Sequence, residues 1–306
     1  MDAEITKLDG TTFSFEEQGI RITDFIVSSL PIQSEYETIE GRDRRVDKGA
    51  TFGPRTIRTP FYFEAYDLLD WPLFRDYIFS LVLEKEPFYI REKRRMSHRP
   101  YKYEIPGQEK VINTEYLPQY IGGKRYLVRL QNTFDLDQIY KNGKGSFTFE
   151  TVELPFAESI GTTQDIQSSG LTSESELWGF GMGLSDDPDS LVYTHEGKTS
   201  FRIFNAGNLP IHPFDQDLKI TISNVVGSTE YFELKNKTNN TAFHVNEAVS
   251  NIQTIVIDGP IVKSNGLAFL RSTNKQFIEL VPGWNDFEIT GATSAKVEFD
   301  FRFYYK

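Results

Sequence analysis

Cysteine is absent from the 306 residues, and histidine, methionine and tryptophan are sparse at 4, 3 and 3. The first absence removes a disulfide framework, thiolate zinc sites and thiol catalysis together. No apolar run reaches the roughly 18 residues that a membrane span needs, so membrane insertion is not expected. Basic charge is in deficit: 33 Lys and Arg stand against 44 Asp and Glu, a net of −11. A nucleic-acid binder neutralises phosphates with a basic surface, so sequence-specific nucleic acid is not expected as a partner. The opening Met1-Asp2-Ala3-Glu4 is acidic where a secretory signal would be basic and then apolar. A soluble protein is expected, kept in a reducing compartment or released without a signal peptide.

What the chain has is aromatic mass. Its 25 Phe and 15 Tyr can fill real cores, which argues against disorder. The length favours two domains, because single cores stop growing at about 250 to 300 residues. Charge divides the chain the same way: residues 1–150 carry a net of −2 and residues 151–306 a net of −9. No Lys or Arg lies between Lys144 and Lys198. Within that gap the small, polar stretch 158–171 reads as a linker between a β domain at 1–157 and a β-sandwich at 172–306.

Strand patterns dominate both halves. Ile57, Thr59, Phe61 and Phe63 alternate with polar neighbours, Pro60 marking an edge strand or a bulge. Asp70 can cap a helix that tolerates Pro72 in its first turn; Phe74, Tyr77, Ile78, Leu81 and Val82 then form one apolar face, ending near Glu86-Pro87. Strand patterns resume at Phe88–Ile90 and Tyr126–Leu130. Further on they recur at 199–205, 217–225, 252–258, 277–281 and 286–290. The last is the cleanest: Val297, Phe299, Phe301, Phe303 and Tyr305 alternate with Lys296, Glu298, Asp300, Arg302 and Tyr304. Many short strands punctuated by Gly, Pro and Asn predict a mainly β protein: an N-terminal β-sandwich with one flanking helix and a C-terminal jelly roll.

Motifs for chemistry are missing. Gly122-Gly123-Lys124 and Gly143-Lys144-Gly145-Ser146 lack the earlier glycine of a phosphate loop, positions 118 and 138 being Pro and Gln, and read as hairpin turns. Gly179-Phe180-Gly181-Met182-Gly183 reads as a bulged or closely packed strand. None of His98, His195, His212 and His244 has metal-ligand spacing to another His. Asp186-Asp187-Pro188-Asp189 lacks the glycine and distal Glu of a calcium loop and reads as a solvated turn. Asn236-Lys237-Thr238 and Asn239-Asn240-Thr241 read as turns. No catalytic residue, metal or cofactor is expected, so the chain is not expected to be an enzyme.

Two basic clusters stand out: Arg42, Arg44, Arg45 and Lys48, then Arg91, Lys93, Arg94, Arg95 and Arg99. Either is a solvated face or a contact for an acidic partner, since guanidinium forks pair with carboxylates. The first lies between Gly41 and Gly49, as on a hairpin tip, and is the candidate contact with an adjacent subunit or a tube.

The ordered landmarks resemble the distal tail proteins of long, non-contractile-tailed bacteriophages. The resemblance runs through Gly41-Arg42-Asp43, Gly53-Pro54-Arg55-Thr56-Ile57, Arg75-Asp76-Tyr77-Ile78-Phe79 and Pro87-Phe88-Tyr89-Ile90. It resumes at Phe201-Arg202-Ile203-Phe204-Asn205-Ala206-Gly207-Asn208 and Leu280-Val281-Pro282-Gly283-Trp284-Asn285. It implies a structural protein of the virion tail tip, assembled in the host cytoplasm. Its tail-tube-like first domain would close a homohexameric ring, helped by an extended hairpin that clasps the neighbour. A galectin-like second domain would point outward. The implied partners are the tail tube protein, a tail-associated lysin or fibre hub, and receptor-binding proteins. The clasping hairpin is not placed by sequence, because 91–125 is also long and charged. An acidic ring suits passage of DNA, since like charges repel. The alternative is a carbohydrate-binding protein, with Trp284 and tyrosines as stacking faces and no catalysis.

Overall fold

The structure, a computed structural model, describes residues 1–96, 119–131, 133–171, 176–179, 181–185 and 187–306. It forms two compact units, Met1–Pro155 and Phe156–Lys306. The expected fold class holds: the protein is mainly β, with a curled sandwich-like first unit flanked by a helix and a jelly-roll-like second unit.

In the first unit an antiparallel sheet runs in the order Thr12–Ser14, Asp2–Lys7, Phe88–Met96, Lys124–Leu130, Asn142–Thr151, Thr56–Glu64, Ile20–Ile22. Period-2 alternation in Thr56–Glu64 sends Ile57, Thr59, Phe61 and Phe63 inward. Pro60 is not on an edge strand. Its carbonyl accepts from Thr23 N at 2.9 Å, in the gap between Ile20–Ile22 and Ile26–Val27 along this strand, where its ring leaves no donor unmatched. Helix α1, Trp71–Val82, buries Trp71, Ile78 and Val82, with Phe74 and Leu81 half-buried and Tyr77 more exposed than its spacing predicts. Asp70 sits at the N-cap without capping through its side chain; instead the Asp67 carboxylate accepts from Asp70 N at 2.8 Å.

The glycines read as turns do other work. Gly143 and Gly145 lie inside the strand Asn142–Thr151, under the rings of Phe63 and Phe61, where a Cβ would collide. That clearance lets Phe61 stack on Phe147 at 4.1 Å. Gly122 interrupts two segments that both pair with Phe88–Met96, and a Cβ there would strike the Glu92 carbonyl.

The second unit packs two antiparallel sheets face to face. One has the order Thr194–Glu196, Ser294–Phe301, Leu218–Val226, Ile255–Asp258, Ile261–Ser264, Leu267–Ala268; the other runs Ser200–Asn205, Gly283–Thr290, Phe232–Asn236, Thr241–Val245. Phe287 meets Phe299 at 4.9 Å between them. The final alternation is interrupted at Arg302: Tyr304 turns inward against its predicted parity, and its hydroxyl accepts from Asp217 N at 3.0 Å. Phe277–Val281 is not a strand; it makes one isolated bridge, Ile211 with Leu280. Gly179 and 181–183, the described residues of the glycine-rich stretch, are not in a strand either. The close packing holds, with Met182 buried and its carbonyl accepting from the Tyr305 hydroxyl at 2.9 Å.

The stretch 158–171 is folded rather than a linker. Ala157–Ser159 pairs with Tyr304–Tyr305, and helix α2, Thr163–Ser169, opens on a capping box of Thr162 and Asp165. Thr163 Oγ1 donates to Phe299 O at 2.9 Å and Ile166 is fully buried. Polar composition misled here because short side chains spent on caps and sheet-edge bonds replace apolar burial.

Introducing Gly143→Val is expected to destabilise the first unit by about 1 to 3 kcal/mol, the usual effect of overpacking. A shifted midpoint in urea unfolding would show it. His195 gives a pH signature in the second unit. Burial holds its pKa below the ordinary value of 6.5. The unfolded chain therefore takes up a proton first as pH falls, and stability present above about 6.5 is lost toward the folded pKa. His195→Phe is expected to flatten the stability slope below that pH in thermal melts.

Candidate assembly interface

The first basic cluster lies on an isolated hairpin. Ile32–Thr38 pairs with Arg45–Phe52, every residue of both strands is exposed, and neither strand joins another sheet among the described residues. Its base is closed by Gly53 N donating to Pro31 O at 2.8 Å, and Arg42 N donates to Ile39 O at 3.1 Å in the tip. The register pairs Ile32 with Phe52 and Glu35 with Gly49, then slips so that Tyr36 faces Asp47 and Lys48 bulges out. Gly49 takes φ +110°, and the Asp47 carboxylate accepts its N–H at 2.9 Å.

This register sorts the two faces. Paired residues share a side, so Ile32, Phe52, Ala50, Tyr36, Asp47 and Arg45 lie on one face, apolar toward the base and charged toward the tip, while Gln33, Thr51, Glu35, Glu37 and Val46 lie on the other. The four candidate cations are brought together at one end but differ in state. Arg45 stacks over Tyr36 at 4.4 Å, and Lys48 pairs with Glu37 at 2.7 Å. The side chains of Arg42 and Arg44 have no partner among the described residues and project into solvent.

The second basic cluster is largely internal. Arg91 and Lys93 both pair with the buried Glu4, Lys93 at 2.5 Å, and Arg94 pairs with Glu92 at 2.5 Å. Arg99 and the Arg95 side chain lie outside the described residues, as does His98. Cross-strand pairing of Asp2–Lys7 with Phe88–Met96 explains the cluster: it balances charge within one sheet.

Hairpin energetics point to a missing surface. A lone two-stranded hairpin is marginal in water, and this one exposes Ile32 at 67 % and Tyr36 at 51 %. The sequence reading missed the apolar face, although the alternation Ile32, Ser34, Tyr36, Thr38 carries its signal.

The alternative site is the outer face of the second unit's smaller sheet. A groove of about 500 Å³ there is lined by Trp284, Arg202, Asp286, Lys237 and His195, among others. Trp284 is a half-buried strand residue whose ring is already engaged: the Arg202 guanidinium lies 4.4 Å from its centroid and Phe204 packs at 5.0 Å.

Residues 8–151, most of the first unit, match the family model described as phage tail protein RIFT-related domain. Over the whole chain the structure is similar to the Dit protein (gp 19.1) of SPP1, described as a paradigm of the hub adsorption apparatus in phages infecting Gram-positive bacteria. That match has 13 % identity and a TM-score of 0.58, covering 98 % of this chain and 99 % of that one. The expected resemblance to distal tail proteins thus holds at the level of fold. A chain of the phage p2 baseplate in its activated conformation also matches, with 12 % identity, a TM-score of 0.38, and 98 % and 97 % coverage. No curated protein matches in sequence.

If the hairpin is held only by itself, amides of 32–52 are expected to exchange within seconds in dilute protein, while those of 56–64 stay protected. Hydrogen exchange read by mass spectrometry checks this; slow exchange in both segments would mean that the hairpin is stable unaided.

Proposed function

We propose that this protein is a non-catalytic structural component of a bacteriophage tail tip. It assembles in the host cytoplasm into a homohexameric ring that joins the tail tube to a lysin or fibre hub and to receptor-binding proteins. The carrying observation is the hairpin Ile32–Phe52, exposed on both faces and bearing Ile32, Tyr36 and Phe52 on one, within the segment that matches a phage tail domain. Such an element gains its stability from the surface that it reaches, so the reading makes it the clasp on a neighbouring copy. Its unpartnered guanidinium groups then meet carboxylates. Charge-assisted bonds of that kind contribute about 1.5 to 3 kcal/mol each where water is excluded, against about 0 to 1 when exposed. The net charge of −11 fits a conduit along which DNA slides without adhering. Nothing at Trp284 favours the saccharide reading over this one, since its neighbours already occupy the ring.

Mass photometry tests the assembly. The full chain is expected to form ring-sized particles at micromolar concentration. A chain in which a short Gly-Ser link replaces Ile32–Phe52 is expected to stay monomeric with an unchanged melting temperature. Arg44→Glu with Arg45→Glu is expected to weaken assembly most at low salt, as exposed charge contacts are screened. A full chain that is monomeric at every concentration, or a shortened chain that assembles equally well, would overturn the proposal.

A further inference from the structure

We propose that the hairpin of one copy is received by an acidic, apolar ledge of the next copy, formed by residues 64–76 and 135–141, with Arg42 and Arg44 entering the groove beside α1. The inference rests on the assembly reading above and names the surface that reading leaves open.

The ledge is continuous in the fold. Ala65 N donates to Lys141 O at 2.9 Å, and Trp71 Nε1 reaches Asn142 O at 3.4 Å, so the end of strand Thr56–Glu64, the start of α1 and the turn near Tyr140 adjoin. Tyr66, Leu68, Leu69, Leu73, Ile139 and Tyr140 are all exposed there, Tyr66 at 88 % and Leu69 at 86 %. Scattered exposed leucines need no explanation, but six large apolar side chains on one ledge mark an interaction surface. The hairpin offers the counterpart, with Ile32, Tyr36 and Phe52 on a single face.

Charge matches as well. The ledge segments carry a net of −4, and the hairpin tip, 41–48, a net of +2. Between α1 and residues 135–138 lies an open groove of about 510 Å³, lined by Asp76, Asp135 and Gln138 with the rings of Trp71 and Phe79, and by Arg75 and Leu136. Arg75 is already paired with Asp76 at 3.1 Å, whereas Asp135 has no cation beside it among the described residues. Carboxylate and amide oxygens above aromatic walls are what a guanidinium fork requires.

The partner is a second copy: within one chain every residue of both hairpin strands is exposed and Arg42 and Arg44 meet no carboxylate among the described residues. The hairpin leaves the sheet before Thr56 and the ledge begins at Glu64, so the two lie at opposite ends of one strand. At about 3.4 Å per residue they stand roughly 27 Å apart. Two different patches that complement each other make a head-to-tail contact, which closes into a ring when the rotation permits.

The absence of cysteine makes a direct test clean. Arg44→Cys combined with Asp135→Cys is expected to give a ladder of disulfide-linked oligomers on mild oxidation, while each single variant gives no ladder beyond a dimer. Separately, Arg44→Glu and Asp135→Arg are each expected to raise the midpoint concentration for assembly at least fivefold. Combined in one chain they should restore it to within twofold. If the double-cysteine protein assembles without a ladder and Asp135→Arg is silent, the ledge is overturned while the hairpin reading stands. If assembly survives removal of Ile32–Phe52, both fall.

Discussion

The first unit depends on the pairing of Thr56–Glu64 with Asn142–Thr151. Its register runs unbroken from Thr56 opposite Glu150 to Glu64 opposite Asn142. Rings of Phe61 and Phe63 lie over Gly145 and Gly143 along that seam, so the two strands approach without steric conflict. One end holds the base of the hairpin through Arg55 N donating to Thr151 Oγ1 at 2.9 Å. The other end holds the turn against which α1 starts. A stiff strand pair therefore fixes the separation between the projecting arm and the ledge. The arm beyond its base is exposed on both faces, which suits an element that must adapt to a second surface.

Much of this was legible in the sequence where burial obeys a period. The inward phase of Ile57, Phe61 and Phe63, the apolar stripe of α1 and the terminal Val297 to Phe301 alternation follow from side-chain geometry alone. What escaped prediction is instructive. Gly143 looked like a turn because glycine usually marks one, yet its role is to vacate space for a ring that comes from 80 residues earlier in the chain. The α2 segment looked like a linker because its order comes from a capping box and from bonds to Phe299 and Phe301, which composition does not record. The basic cluster was visible, but its division into engaged and unpaired cations depends on the bulge at Lys48.

The turn motifs that carried the resemblance in the second unit have a physical reading that does not involve a ligand. Asn205 donates to Leu209 O at 3.0 Å and accepts from Gly207 N at 3.0 Å, holding the turn after its strand. Asn285 accepts from Val281 N at 2.9 Å and from Asn236 Nδ2 at 3.0 Å, clamping the Pro282-Gly283 corner to a neighbouring strand. Both asparagines are buried, where an unpaired amide would cost about 1 to 3 kcal/mol. The Asn-Ala-Gly-Asn and Pro-Gly-Trp-Asn segments are thus turn staples. They specify how the sandwich closes rather than what the sandwich binds.

Charge placement connects the two levels. Within the first unit, acids and bases from adjacent strands cancel, as Glu4 does with Arg91 and Lys93. Arg42 and Arg44 on the arm and Asp135 on the ledge have no ion-pair partner among the described residues, whereas Asp76, Glu64 and Asp137 are paired with Arg75, Lys141 and Lys144. In the proposed ring every copy gives one arm and receives one, so a single kind of contact is used repeatedly. The last contact closes intramolecularly, at an effective concentration far above that of free subunits. A modest contact, too weak to hold two copies together for long, then suffices to hold the ring. An arm that is cationic at its tip and carries Glu35 and Glu37 along one edge resists strand-to-strand aggregation.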